Sequence, residues 1–160
     1  MIRVEANQQG LRGGQRVPLA RLSCICRAVD RALGLKAPVF VSVAFVDGPT
    51  MRRLNRTYRG KDRVTDVLAF PFTQGEVRGE VVICVPQAVR QASEQAHGLH
   101  TEIAILLVHG LLHVFGHDHE VPTDRGRMFR LQVRALKELG IAWEPPELEV
   151  SPRVRRHSAL

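Results

Sequence analysis

The stretch HGLLHVFGHDHE, residues 109–120, constrains the fold of this chain more than any other feature, because it holds four of the seven histidines. If the apolar residues around its start form a helix, His109 and His113 lie one turn apart on one face, with Cβ atoms about 5 to 6 Å from each other. Gly116 then suits the end of the helix, since glycine reaches the left-handed conformation without strain. The chain can therefore bring a third histidine back to the same place.

This spacing predicts a metal site. The pattern H-x-x-x-H-x-x-G-x-x-H matches that of zinc proteases and puts His119 at the third position, where His117 competes with it. Three protein ligands with one open position are typical of a catalytic zinc ion. A zinc protease, however, carries a glutamate directly after the first histidine, where this chain has Gly110. The predicted site therefore lacks the base that a peptidase uses there.

The rest of the sequence predicts strands early in the chain and helices late. Alternating or β-branched apolar residues predict four strands, at residues 2–6, 39–46, 64–70 and 80–85. Helical spacing between start and stop signals predicts five helices, at 18–33, 47–58, 86–98, 101–115 and about 123–139, the last capped by Thr123 or Asp124. The second and third strands are predicted to form a right-handed parallel crossover. We therefore expect an α+β fold, a small mixed four-stranded sheet packed with about five helices, with the metal site on a central helix and the following turn.

Length and apolar content predict one domain without a membrane segment. The 160 residues divide into a single catalytic domain, residues 1–143, and a flexible C-terminal tail, residues 144–160, that is rich in proline and charge. The N-terminus has no signal-peptide pattern, and the longest apolar run, residues 103–108, is too short to cross a bilayer. Three cysteines without a C-x-x-C pair fit a reducing compartment. We expect a cytoplasmic protein that does not contact membranes.

The charge of the chain indicates a polyanionic partner. The 23 Lys and Arg exceed the 16 Asp and Glu by seven, and the tail, with three Glu and three Arg, leaves 20 against 13 in the predicted domain, still +7. Basic side chains concentrate in LNRTYRGKDRVTDVLAFPF, residues 54–72. A solvated basic loop is one interpretation of this segment. The other is a binding loop, since the fork of an arginine suits a phosphate.

Three segments together resemble the YbeY family of bacterial endoribonucleases. They are residues 54–72, RGEVVIC at 78–84 and HGLLHVFGHDH at 109–119, in this order, and the resemblance covers roughly residues 40–140. It implies a zinc-dependent, single-strand-specific endoribonuclease that acts in ribosomal RNA maturation and in ribosome quality control.

The resemblance also implies site residues. Zinc ligands are expected at His109, His113 and His119, and a functionally important arginine at Arg59. This chain has His117 where family members usually have tyrosine.

We therefore predict that the three histidines bind Zn²⁺ and that Arg59 is the catalytic residue that holds a phosphate of single-stranded RNA. Lys61 and Arg63 are expected to add nonspecific attraction. Ribosomal RNA and ribosomal particles are the predicted partners, and the sequence makes no prediction of oligomeric state.

Two alternatives remain from the sequence. A zinc metallopeptidase-like hydrolase is favoured by the histidine spacing and opposed by Gly110. A non-catalytic ribosome assembly factor with a structural zinc would need a fourth protein ligand, for which His117 or Asp118 is nearest.

Overall fold

The computed structural model describes residues 1–146. Within this range four strands and five α-helices form the α+β fold that the sequence predicts. In chain order they are β1 (Ile2–Asn7), α1 (Leu19–Leu33), β2 (Val39–Val46), α2 (Gly48–Arg59), β3 (Val67–Pro71), β4 (Val77–Cys84), α3 (Val85–Glu94), α4 (Leu99–Val114) and α5 (Pro122–Glu138), with a short 3-10 helix at Gly13–Gln15.

The sheet is mixed and has the strand order β1-β2-β4-β3. β2 pairs in parallel with both β1 and β4, whereas β3 runs antiparallel to β4. The predicted parallel crossover from β2 to β3 is therefore wrong. Residues 72–76 join β3 to β4 through a short turn, in which Gly75 has a φ of 87°, and a short turn can connect only antiparallel strands.

The alternation of side chains along the strands gives the sheet two buried faces. Val41 and Val43 of β2 face the main core, which contains residues of α1, α4 and α5. Met51 of α2 packs with Leu68 and Val82 on the opposite face. α2 therefore lies on one side of the sheet and the helix with the histidines on the other.

Most helix ends agree with the predictions, but the end of α3 and the starts of β3 and β4 do not. β4 begins at Val77, earlier than the predicted residue 80. The Asp47 side chain caps α2 by accepting the Thr50 N–H, and Gly60 ends the helix in the left-handed conformation. β3 begins at Val67, later than predicted, and the Asp66 carboxylate accepts the Val67 N–H. α3 ends at Glu94 instead of near residue 98, because the chain turns at residue 96, where φ is 54°.

The central helix α4 rests directly on β3 and β4. A Cβ added at Gly110 would lie 2.6 Å from Val81 Cγ1 and 3.3 Å from Val67 Cγ2. A Cβ added at Gly79 of β4 would lie 2.7 Å from Val114 Cγ1, near the end of the same helix. Two glycines, one on each surface, therefore permit this close approach.

In residues 1–146, no helix is both long enough and apolar enough to cross a membrane. Ile141 and Trp143 follow α5 and pack against the main core, whereas residues 147–160 of the predicted tail lie outside the described residues. The division into a domain at 1–143 and a tail at 144–160 stays a prediction.

Candidate functional site

Three histidines converge where α4 ends. Gly116 adopts a φ of 94°, and the N–H groups of Gly116 and His117 donate to the carbonyls of His113 and Leu112, both at 3.0 Å. This tight turn brings His119 back towards the helix. His113 Nε2 lies 3.1 Å from His109 Nε2 and 3.1 Å from His119 Nδ1. The structure therefore brings together the three histidines that the spacing selects.

The geometry of this cluster fits a zinc ion. One ring nitrogen from each histidine lies within 4.8 Å of the others. Tetrahedral zinc with Zn–N bonds of about 2.0 to 2.1 Å separates its nitrogen ligands by about 3.3 Å, close to the observed 3.1 Å. The role of the three histidines as ligands stays a prediction.

Burial keeps two of these imidazoles neutral. It lowers the pKa of His109, and it lowers the pKa of His113 to about 4, with the neighbouring imidazoles of His109 and His119 adding to the effect. Near neutral pH both rings are therefore in the unprotonated form that binds a metal.

Gln132 of α5 orients the first histidine, and the sequence analysis missed it. Its side chain is buried, and Oε1 accepts the Nδ1–H of His109 at 3.1 Å. This bond leaves the His109 Nε2 lone pair directed at the cluster, as is usual for metal-binding histidines. The signal for Gln132 was available, because it lies on the apolar stripe of α5 with the buried Met128, Ala135 and Leu136.

The turn that carries His119 is tied to the first turn of α5. Arg125 Nε donates to the His119 carbonyl at 2.7 Å. Asp124 Oδ2 accepts the Asp118 N–H at 2.7 Å, and His117 Nδ1 lies 3.3 Å from Asp124 Oδ1. The Asp118 N–H, with His117, lowers the pKa of the Asp124 carboxyl. His117 therefore pairs with a carboxylate instead of joining the cluster.

The predicted cap of α5 by Thr123 or Asp124 is wrong. The helix begins at Pro122, Val121 occupies the N-cap position, and no side chain caps this helix end. The Asp124 carboxylate, which was expected to cap the helix, instead holds the turn.

The histidines line a cavity of about 770 Å³ together with Arg59, Lys61 and Arg63. Arg59 Nη2 donates to the Ala69 carbonyl of β3 at 2.8 Å, which fixes the guanidinium at the cavity wall. After burial and the other imidazoles, the charge of Arg59 also contributes to the low pKa of His113. The predicted catalytic arginine and the predicted metal ligands therefore share one cavity.

A polar network that the sequence analysis missed forms another part of the wall. Gln91 Nε2 donates to Glu102 Oε1 at 2.9 Å and to Asp66 Oδ2 at 3.3 Å, and His97 Nε2 lies 2.6 Å from Glu102 Oε2. Glu102 is buried, and its carboxylate is paired with Gln91 and His97. These side chains come from separate elements, and no local spacing signals that they meet.

Comparison with known proteins identifies relatives over most of the chain. The family model described as endoribonuclease YbeY matches residues 17–140. A Myxococcus xanthus protein named endoribonuclease YbeY is 44% identical over 129 residues, which cover 76% of this chain but only 43% of that protein. A Macrococcus caseolyticus protein of the same name is 38% identical over 118 residues, 68% of this chain and 77% of that protein. The solution structure of a Thermotoga maritima protein is similar to this fold with a TM-score of 0.60 and 30% identity, covering 87% of this chain and 89% of that one.

Proposed function

Because this chain belongs to the endoribonuclease YbeY family, we propose that it is a zinc-dependent endoribonuclease that cleaves single-stranded RNA. We further propose that it acts in ribosomal RNA maturation and ribosome quality control, on ribosomal RNA and ribosomal particles in the cytoplasm. One observation carries the proposal. The three converging histidines and Arg59 line the same cavity, so a metal and a phosphate-binding cation can act on one substrate group.

The three histidines and Arg59 have different proposed roles in phosphodiester cleavage. His109, His113 and His119 would hold zinc, which supplies Lewis acidity and can lower the pKa of a water molecule from about 15.7 toward about 7. Arg59 binds the scissile phosphate and stabilises the negative charge that develops on its oxygens.

The remaining groups keep this site in place and attract substrate. Gln132 fixes the ring of His109 through the Nδ1–H bond, and the Ala69 carbonyl fixes Arg59. Lys61 and Arg63 add cationic surface within the cavity, which favours a polyanion over a neutral peptide.

Gly110 opposes the peptidase alternative for a steric reason as well as a chemical one. Even the Cβ of a larger residue would approach Val81 Cγ1 to 2.6 Å, so a glutamate at this position does not fit between α4 and the sheet. Position 110 therefore lacks the peptidase base and is also a point of tight contact between α4 and the sheet.

The alternative of a structural zinc needs a fourth protein ligand. In residues 1–146 the candidate metal cluster contains three histidines. His117 is paired with Asp124, and Asp118 Oδ1 accepts the Glu120 N–H at 2.9 Å. These contacts favour a site with a position left for substrate or water, the arrangement of catalytic zinc.

The proposal is tested by incubating zinc-loaded protein with a single-stranded RNA and with a duplex of the same sequence. We expect cleavage of the single strand alone, its loss on chelation and its return when zinc is restored. Cleavage that is unaffected by chelator would contradict the metal dependence. An absence of cleavage in fully zinc-loaded protein would favour the assembly-factor alternative.

A further inference from the structure

The wall of the histidine cavity contains the single tryptophan of the chain, Trp143. After α5 the chain turns at Gly140, which has a φ of 75°, and the Ile141 N–H donates to the Leu136 carbonyl at 2.9 Å. Trp143 then packs edge-on against Phe129, with ring centroids 6.0 Å apart and an interplanar angle of 62°. These contacts hold the indole in one orientation at the cavity.

Trp143 is only half-buried, although it is the largest apolar side chain at the cavity. The same cavity is lined by Gln132 and His109 and by the cations Arg59, Lys61 and Arg63. The cavity therefore offers cations for an anionic group and a fixed aromatic ring for a planar apolar one. A nucleotide contains both groups, since every nucleobase has a π-face that stacks on an aromatic side chain.

We propose that Trp143 is a stacking surface for one nucleobase of the RNA strand that occupies the histidine cavity. This inference rests on the proposed function and adds a subsite to it. It also accounts for a preference for single strands, because a base can stack on a side chain only when it is not already stacked and paired in a duplex. Trp143 lies beyond residues 17–140, the part of the chain that the family model matches.

The test uses the full-length, zinc-loaded protein and a set of single-stranded RNA oligonucleotides. In each one a different nucleotide is replaced by an abasic residue, which removes the base and retains the phosphate. At one position the abasic substitution is expected to lower kcat/KM by about 5- to 150-fold, the usual range for the loss of one stacked base. Trp143→Leu should lower kcat/KM for the intact RNA by a similar factor and should be insensitive to the abasic residue at that position.

Two control variants separate stacking from packing. Trp143→Phe keeps an aromatic face and should retain most of the activity and the response to the abasic position. Phe40→Leu removes a different exposed ring, on β2 and outside the cavity lining, and should behave like the unaltered protein. If Trp143 only supported the fold, Trp143→Leu would lower cleavage of every oligonucleotide equally and the abasic effect would persist in this variant.

Fluorescence provides a readout that does not depend on cleavage. Since Trp143 is the sole tryptophan, intact RNA should quench the tryptophan emission, and RNA with the critical abasic residue should quench it less. Equal quenching by both RNAs, or abasic effects that are the same in Trp143→Leu, would overturn the inference while RNA cleavage remains intact. Failure to bind or cleave any single-stranded RNA would instead overturn the proposed function.

Discussion

Two histidines of one turn have different partners in this protein. His119 Nδ1 lies 3.1 Å from His113 Nε2, whereas His117 Nδ1 lies 3.3 Å from Asp124 Oδ1. We expect His119→Ala to lose both stoichiometric zinc and RNA cleavage, because a site with two protein ligands binds metal weakly. His117→Tyr should keep the zinc and much of the activity. Metal analysis of the two purified variants measures the difference.

His100→Ala is a matched control for the loss of a half-buried imidazole. His100 lies in the first turn of α4, and its Nε2 is 3.2 Å from the Gln15 carbonyl, so this variant should retain zinc. A His119→Ala protein that keeps zinc, beside a His117→Tyr protein that loses it, would reverse the ligand assignment.

Arg59 is expected to act on substrate and not on metal. Arg59→Glu should lower kcat/KM for single-stranded RNA by at least about 100-fold, as is typical when a group that stabilises transition-state charge is removed. Its zinc content should stay stoichiometric, because the guanidinium binds the Ala69 carbonyl and not a histidine. Initial rates and metal analysis on the same preparation measure both quantities.

Arg53→Glu is the control for the change in overall charge. Each charge reversal lowers the net charge by two, from +7 to +5, but Arg53 is exposed on α2 and lies outside the cavity lining. Equal losses of activity in the two variants would indicate a general electrostatic effect and would remove the specific role of Arg59.

At the scale of elements, the contact between α4 and the sheet depends on Gly110. Gly110→Ala gains about 1 kcal/mol of helix propensity, but its Cβ would lie 2.6 Å from Cγ1 of the fully buried Val81. Overpacking of this kind costs about 1 to 3 kcal/mol. We therefore expect a net decrease in the free energy of unfolding, measured from the urea midpoint at an unchanged m value.

Gly126→Ala is the matched helix substitution. Gly126 lies in α5, where an added Cβ would meet only the flexible end of Arg130, at 3.3 Å. This variant should be more stable by up to about 1 kcal/mol, the propensity gain alone. The same change in stability for both variants would show that the close approach at Gly110 has no cost.

Local signals explain why so many elements could be predicted from the sequence. Asp47, Gly60 and Gly34 act within one turn of their own helices, so the signals that bound α1 and α2 lie in the local sequence. The place of β3 beside β4 depends on pairing with distant residues, and the sequence prediction failed there.

The candidate site also combines features that local sequence signals predict with features that depend on tertiary packing. The histidine spacing follows from one helix and one turn, so sequence alone could select the cluster. Gln132 and the pair of Glu102 with His97 come to line the histidine cavity only when separate elements pack together. Gly110 illustrates both cases, since the absent glutamate can be read from the sequence but the contact with Val81 cannot.

At the scale of the whole molecule, the basic side chains behind the net charge of +7 are not equally available to a ligand in the cavity. Arg52, close to the basic segment, forms an ion pair with Asp62 at 2.8 Å, and this exposed pair offers little charge to a ligand. Arg59, Lys61 and Arg63 line the cavity itself. The electrostatic part of RNA binding should therefore come mainly from these three cations.

The salt dependence of RNA binding measures how many phosphates these three cations neutralise. For single strands the logarithm of the association constant falls with the logarithm of the salt concentration by about 0.7 per phosphate contact, so three contacts predict a slope of about −2. Lys61→Ala should make this slope less negative by about 0.7, whereas Arg53→Ala, outside the cavity lining, should leave it unchanged. Fluorescence anisotropy of a labelled single-stranded RNA with chelator-treated protein gives the slope without cleavage. Binding that does not vary between low and moderate salt would refute the electrostatic origin of RNA affinity. An equal change of slope in both variants would refute the assignment of the phosphate contacts to the cations of the cavity.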